Sequence, residues 1–228
     1  MRLFAIADLH LSFGVKKPMD IFRGWENYEE KIEKNWKSAV TDDDTVIIAG
    51  DISWGMTLEE SLPDFKFIDT LPGKKIILKG NHDYWWTTLK KMNEFLCDNG
   101  IKTVSFLHNN AFQFGDYAIC GTRGWVLEKG ETEDKKVTER EAGRLARSLE
   151  EGKKLGLELI VFLHYPPFFG DYVCSEIIDV LKKFEVKRCY FGHIHGQACR
   201  LADRGVQSGI KCRLISADFV EFHPILVE

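Results

Sequence analysis

Five stretches of this chain share one grammar: an apolar, β-branched-rich run of strand length that gives way at once to polar residues. They are LFAIAD ending on Asp8, TVIIAGD on Asp51, KIILKGN on Asn81, LIVFLH on His164 and RCYFGH on His193. Near-continuous apolar runs, rather than alternating ones, suit strands covered on both faces. Between them lie stripes at helical spacing: Trp25, Tyr28, Ile32, Trp36 and Ala39; Trp85, Thr88, Leu89, Met92 and Leu96; Ala142, Leu145, Ala146 and Leu149; Ile177, Ile178, Leu181 and Phe184. The segment TLEESLPDFKFIDTLPG also reads as helix, with Pro63 expected to break or kink it. Alternating strand and helix sets the class as α/β.

Two regions leave that rhythm. TVSFLHNNAFQFGDYAICG reads as short strands joined by Asn-Asn and Gly-Asp turns, and KCRLISADFVEFHPILV as a further pair, so a second, more antiparallel sheet is expected. EKGETEDKKVTER is charged and aperiodic, which predicts an exposed loop. No repeat or linker interrupts the 228 residues, and the expectation is one domain over 1–228. Lysine and arginine number 31 against 35 acidic residues, a balance that supplies no basic field for sequence-independent binding of nucleic acid. Asp8 and His10 interrupt the short apolar N-terminus before a signal-peptide core or a span can form, which predicts a cytoplasmic protein with no membrane partner. Six cysteines without a CxxC pair read as reduced thiols filling the core.

The strand tips carry the chemistry. In open α/β sheets ligands bind at the carboxyl ends of strands, so these tips should converge. Asp8 and His10 are two apart, as are His193 and His195, and an extended backbone would project each pair to one side. Gly50, Gly80 and Gly192 directly precede Asp51, Asn81 and His193, and the missing Cβ lets the chain turn sharply close to an ion. Asp8, His10, Asp51, Asn81, His164, His193 and His195 are too many for one tetrahedral zinc, but they suit two divalent ions roughly 3.5–4 Å apart that share a carboxylate. A mixed nitrogen and oxygen set without thiolate favours Mn, Fe or Zn over an all-oxygen Mg or Ca cage. Two such ions carry four positive charges. Asp8, Asp51 and a bridging hydroxide remove three, and the surplus of about one suits an anion such as a phosphate ester. Any one motif alone is as readily a strand end and a turn, yet five of the seven histidines fall within these motifs.

Taken in order, DLH, GD, GNHD, LHYPP and GHIHG resemble the calcineurin-like metallophosphoesterases, whose pattern is D-x-H, GD, GNH[D/E], a separate His, and GHxH. The resemblance runs from Asp8 to His195 and matches every ligand position. It implies a four-layer α/β/β/α sandwich of two mixed sheets. It also implies that Asp8, His10, Asp51 and His195 hold one metal, with Asp51 bridging to a second held by Asn81, His164 and His193. By the same resemblance His82 contacts the phosphoryl group and protonates the leaving oxygen, while a hydroxide between the metals attacks phosphorus in line.

Asp83 then either holds the His82 ring and favours imidazolium, or caps a helix beginning at Tyr84. Tyr84 and Trp86 are expected to wall the substrate pocket, and Trp85 to pack in the core. Arg123, in GTRGW, suits bidentate phosphate recognition or a salt bridge to the acidic loop that follows. The sequence thus reads as a hydrolase of small phosphate monoesters or diesters. A nuclease of the same family and a non-catalytic scaffold are the alternatives; the acidic balance weighs against the first and the complete ligand set against the second.

Overall fold

Alternation within the strands separates the layers, as the computed structural model shows for residues 1–125, 135–202 and 205–227. In β1 (Leu3–Ile6), Phe4 and Ile6 join one apolar cluster while Leu3 and Ala5 join another. In β2 (Thr45–Ala49), Val46 and Ile48 take the first side, and Ile47 and Ala49 the second. Both faces of each strand are therefore buried, which is why these runs look continuous rather than striped.

With β3 (Lys74–Leu78), β4 (Val104–Phe106) and β13 (Ile225–Leu226) these strands form a five-stranded sheet in the order β13-β1-β2-β3-β4. All its pairings are parallel except that of β1 with β13. The second sheet has the order β11-β12-β10-β7-β6-β5. Its strands are β5 (Phe112–Phe114), β6 (Tyr117–Thr122), β7 (Glu158–Leu163), β10 (Arg188–Phe191), β11 (Gly205–Gln207) and β12 (Ile210–Leu214). A two-stranded hairpin, β8 (Phe168–Phe169) with β9 (Tyr172–Val173), stands apart.

Helices α1 (Tyr28–Ala39), α2 (Leu58–Thr70) and α3 (Leu89–Asp98) bury Trp36, Phe65 and Met92 against the outer face of the first sheet. Helices α4 (Lys135–Lys154), α5 (Ser175–Lys183) and the short α6 (Cys199–Ala202) bury Leu145, Leu181 and Cys199 against the second. Leu3, Ala5, Ile47 and Leu78 of the first sheet meet Ile119, Ile160, Phe162 and Tyr190 of the second in a seam between the sheets. Three apolar seams make four layers, the architecture that the resemblance implied.

Several local expectations are corrected. The second sheet is not mainly antiparallel: β6, β7, β10 and β12 run parallel, and only its edges are antiparallel. β4 belongs to the first sheet, and β12 and β13 lie in different sheets rather than forming a pair. α2 runs unbroken through Pro63, where the side chain costs one ladder bond but Phe65 and Ile68 still bury their faces. Of the stretch expected as a charged loop, residues 135–140 open α4, and the remainder lies outside the described residues. Among the described residues all six cysteines are free thiols, five of them buried, and no helix is long and apolar enough to cross a membrane.

Candidate metal centre

The tips of β1, β2 and β3 from one sheet and of β7 and β10 from the other come together at one end of the sandwich. Backbone bonds continue past the strands: the amides of Asp8 and His10 donate to the carbonyls of Gly50 and Asp51 at 2.9 and 3.0 Å. Ala7 N–H donates to Ile215 O at 2.8 Å, which ties the first sheet to the chain leaving β12.

Asp8 and His10 are not extended, as the two-residue spacing suggested. Asp8, His10, Asp51 and His193 have φ values of 60°, 48°, 52° and 73°, in the left-handed region that L-residues avoid. Four strained residues at one locus are held there by their surroundings, a pattern typical of functional sites. The glycines permit the crowding: a Cβ on Gly50 would lie 2.6 Å from His164 Nδ1, and one on Gly80 would overlap the Asp51 carboxylate.

Two clusters result, Asp8 with His10 and His195, and Asp51 with His164 and His193. His10 Nε2 lies 3.4 Å from His195 Nε2 and 3.8 Å from Asp51 Oδ2. His164 Nε2 lies 3.6 Å from Asp51 Oδ2 and 2.6 Å from Asn81 Oδ1, and that same oxygen is 2.9 Å from His193 Nδ1. The tautomers follow from the other ring nitrogens. His164 Nδ1 faces the Ala49 carbonyl at 3.1 Å and must carry the proton, so a neutral His164 turns its Nε2 lone pair toward the oxygens of Asn81 and Asp51. Acceptors facing acceptors in a buried site repel unless a cation lies among them. Asp8 Oδ1 is likewise buried without a hydrogen-bond partner.

Protonation fits the same picture. Burial drives the pKa of His164 down to about 3 and that of His193 to about 2, and it holds His10 well below its ordinary value; all three present lone pairs at neutral pH. Burial alone would lower His195 too, but its hydrogen bond to Asp218 and the charges of Asp8 and Asp51 raise it to about 9. Burial pushes Asp8 and Asp51 up, and each is pulled back by nearby histidine charge. The donor set therefore fits divalent ions of the transition series, which would stabilise both carboxylates and displace the His195 proton.

A family model described as calcineurin-like phosphoesterase matches residues 1–197. The chain belongs to that family. Solved structures share the fold at low identity. The protein AQ665 of Aquifex aeolicus has a TM-score of 0.54 at 16% identity, covering 99% of this chain and 95% of that one. TT1561 of Thermus thermophilus gives 0.56 at 13%, covering 92% and 87%. The phosphopantetheinyl hydrolase PptH of Mycobacterium tuberculosis gives 0.53 at 14%, covering 100% and 96%. The gene 66 protein of Mycobacterium phage L5 is 40% identical over 80 residues, which are 34% of this chain and 37% of that protein. The chain thus matches little more than a third of that relative's length.

In this calcineurin-like phosphoesterase the surroundings of the candidate metal centre differ from expectation. Asp83 does not hold the His82 ring, and no helix starts at Tyr84: α3 begins at Leu89, with Thr88 as its cap. Instead the fully buried Asp83 carboxylate accepts the amides of Asp51 (2.9 Å), Ile52 (2.9 Å) and Gly80 (2.7 Å) and the Trp85 indole N–H (3.1 Å). It clamps the two ligand loops to each other. Trp86 packs on Trp85, Phe106 and His108 rather than walling the site. The Arg123 guanidinium pairs with the buried Glu141 of α4 at 3.5 Å and lies over the Trp125 ring, while its carbonyl accepts the His164 amide at 3.1 Å; most of the acidic loop that follows lies outside the described residues.

The walls are other aromatics. Trp54 stacks on His10 with ring centroids 5.0 Å apart and packs 4.4 Å from His82, and Trp25 meets both His10 and His195 edge-on at 5.7 Å. His82 donates its amide to Asp51 Oδ1 at 2.8 Å, and its ring Nδ1 is buried without a partner. Tyr84, half exposed, sits at the edge with its ring 6.1 Å from that of His82.

Asp218 is the residue that the motif reading missed. Its Oδ1 lies 2.9 Å from His195 Nδ1, and its Oδ2 accepts the Gly196 amide at 2.8 Å. Such a carboxylate fixes the tautomer and orientation of a histidine ligand. Asp218→Asn should weaken metal affinity about 10–100-fold, measured by competition against a chromogenic chelator, and an unchanged affinity would deny it this orienting role.

Proposed function

We propose that the protein is a metal-dependent hydrolase of small phosphate monoesters or diesters. The observation that carries this reading is the set of buried acceptors turned on one another: the His164 Nε2 lone pair toward Asn81 and Asp51 oxygens, beside an Asp8 oxygen with no donor. Asp8, His10, Asp51 and His195 would hold one divalent ion, and Asn81, His164 and His193 a second that shares Asp51. Mn, Fe and Zn suit this donor set. When bound, two such ions acidify water and withdraw charge from phosphoryl oxygens.

The chain's own residues supply the remainder. Asp51 anchors the His82 amide, so the imidazole stands at a fixed distance from the ligands. Its unpartnered Nδ1 is free to hold a proton for the departing oxygen. Trp25 and Trp54 pack on the His10 ring and shield that side from water. Membership of the calcineurin-like phosphoesterase family supports the reaction class.

The test is hydrolysis of p-nitrophenyl phosphate and its bis ester by metal-stripped protein titrated separately with Mn, Fe and Zn. Turnover of one ester or both should rise to a plateau near two equivalents of metal and vanish on chelation. Failure on both esters at full loading, or turnover indifferent to chelator, would sink the proposal.

A further inference from the structure

Beside His195 the surface opens into a cleft of about 360 Å³ lined by Met19, Phe22, Arg23, Trp25, His195, Gly196 and Asp218. The volume falls in the range of small-molecule sites. Asp218 spends one oxygen on His195 and the other on the Gly196 amide, so beside the charged Arg23 it is Met19, Phe22 and the Trp25 ring that set the character of the lining. Trp25 is 3% exposed and wedged edge-on against His10, His195, Tyr28 and Phe222, so the floor of the cleft is rigid. Phe22, by contrast, leaves 53% of its surface in water on the cleft wall. A large apolar side chain exposed there gains from a ligand that covers it.

We infer that this cleft receives an apolar organic group of the substrate, so that the phosphoesters cleaved best are those of alcohols carrying an alkyl chain or an unsubstituted ring. The inference rests on the phosphoesterase reading and adds the substrate class. Continuity commits the occupant. His195 belongs at once to the Asp8–His10–His195 cluster and to the cleft wall, so a molecule whose phosphoryl group lies at that cluster has its body within reach of Phe22 and Met19. Arg23 adds positive charge to the lining, in keeping with an anionic ligand. A sugar or polyol phosphate would bury hydroxyls against Met19 and Trp25 without partners, which costs binding.

Alkylphosphonates from methyl to hexyl test this by calorimetric titration into the metal-reconstituted protein. They carry no scissile ester, so leaving-group chemistry does not enter. Affinity should tighten up to roughly fourfold per methylene, the value for full burial of each group. Phe22→Ser, a change at an exposed position, should cut that increment to about twofold or less, with an unchanged melting temperature showing the fold intact. Wild-type binding of methylphosphonate with no gain on chain extension would overturn this inference alone. No binding of any member, methyl included, would count against the phosphoesterase reading itself. A dimer in sedimentation that Phe22→Ser dissolves would assign the cleft to a second copy of the chain and would likewise overturn it.

Discussion

Asp83→Ala should destabilise the metal-free protein by roughly 3–5 kcal/mol and leave it unable to hold two metals. The carboxylate is fully buried and receives five donors: the amides of Asp51, Ile52, Ser53 and Gly80 and the indole of Trp85. Truncation strands each of them, at about 1–3 kcal/mol for a buried unsatisfied group before relaxation. Total stability of about 5–15 kcal/mol makes this a large fraction. Metal binding should fail for a geometric reason, because Asp51 and Asn81, which Gly80 directly precedes, are among the residues assigned to the metals. Releasing both loops lets the left-handed Asp51 relax toward φ values that aim its carboxylate elsewhere. The isosteric Asp83→Asn should be nearly as damaging, since its amide nitrogen would confront donors on one side with another donor. Urea unfolding of the stripped proteins measures the first effect and elemental analysis after reconstitution the second. Wild-type midpoints for both variants would show that the loops keep their shape without the clamp.

Burial and the nearby charge of Asp51 push the Asp83 pKa up, while the amides of Gly80, Ile52 and Ser53 pull it down. That contest was not legible in the sequence, where Asp83 follows His82 and reads as its partner or as a helix cap. What decides its role is that Gly80 N–H and Asp51 N–H, from separate loops, both donate to Asp83 Oδ2. The candidate ligands were legible for a simpler reason: histidine, aspartate and asparagine are out of place at the end of apolar runs such as LIVFLH, and few folds bring such tips together. The same runs called for cover on both faces of each strand, while the four layers themselves were implied by the resemblance of the motifs to the phosphoesterase family.

Short strands carried less information. VSF pairs with β3 of the first sheet rather than with β5, the strand that follows it, because three residues specify a face but not a sheet. Left-handed backbone at Asp8, His10 and His193 left no trace either, since no glycine or turn signature marks strain imposed by tertiary packing. Asp218 did leave one. RLISAD, running off the tip of β12, obeys the grammar of the other ligand strands, but it lies beyond the last of the family motifs and beyond residue 197, where the family match ends.

His82→Ala should lower kcat by about 10²–10⁴-fold with both metals still bound, as expected for loss of a positioned proton donor. The His82 side chain does not hold the residues assigned to the metals in place; it is the backbone amide that reaches Asp51, and alanine keeps it. The ring is held by aromatic packing, 4.4 Å from Trp54 and 5.7 Å from His10, with Nδ1 left free. Burial lowers its pKa, the Asp51 charge pulls it back up, and the Lys17 ammonium near Trp54 lowers it again. A donor's worth depends on how badly the departing oxygen needs a proton. An alkyl phosphate releases a strongly basic alkoxide and should suffer the whole loss, whereas p-nitrophenolate leaves almost unaided and should lose at least about tenfold less. The ratio of kcat between wild type and His82→Ala, taken for one substrate of each kind at equal metal loading, reads this directly. Equal losses on both would mean that His82 positions the phosphoryl group and does not carry the proton.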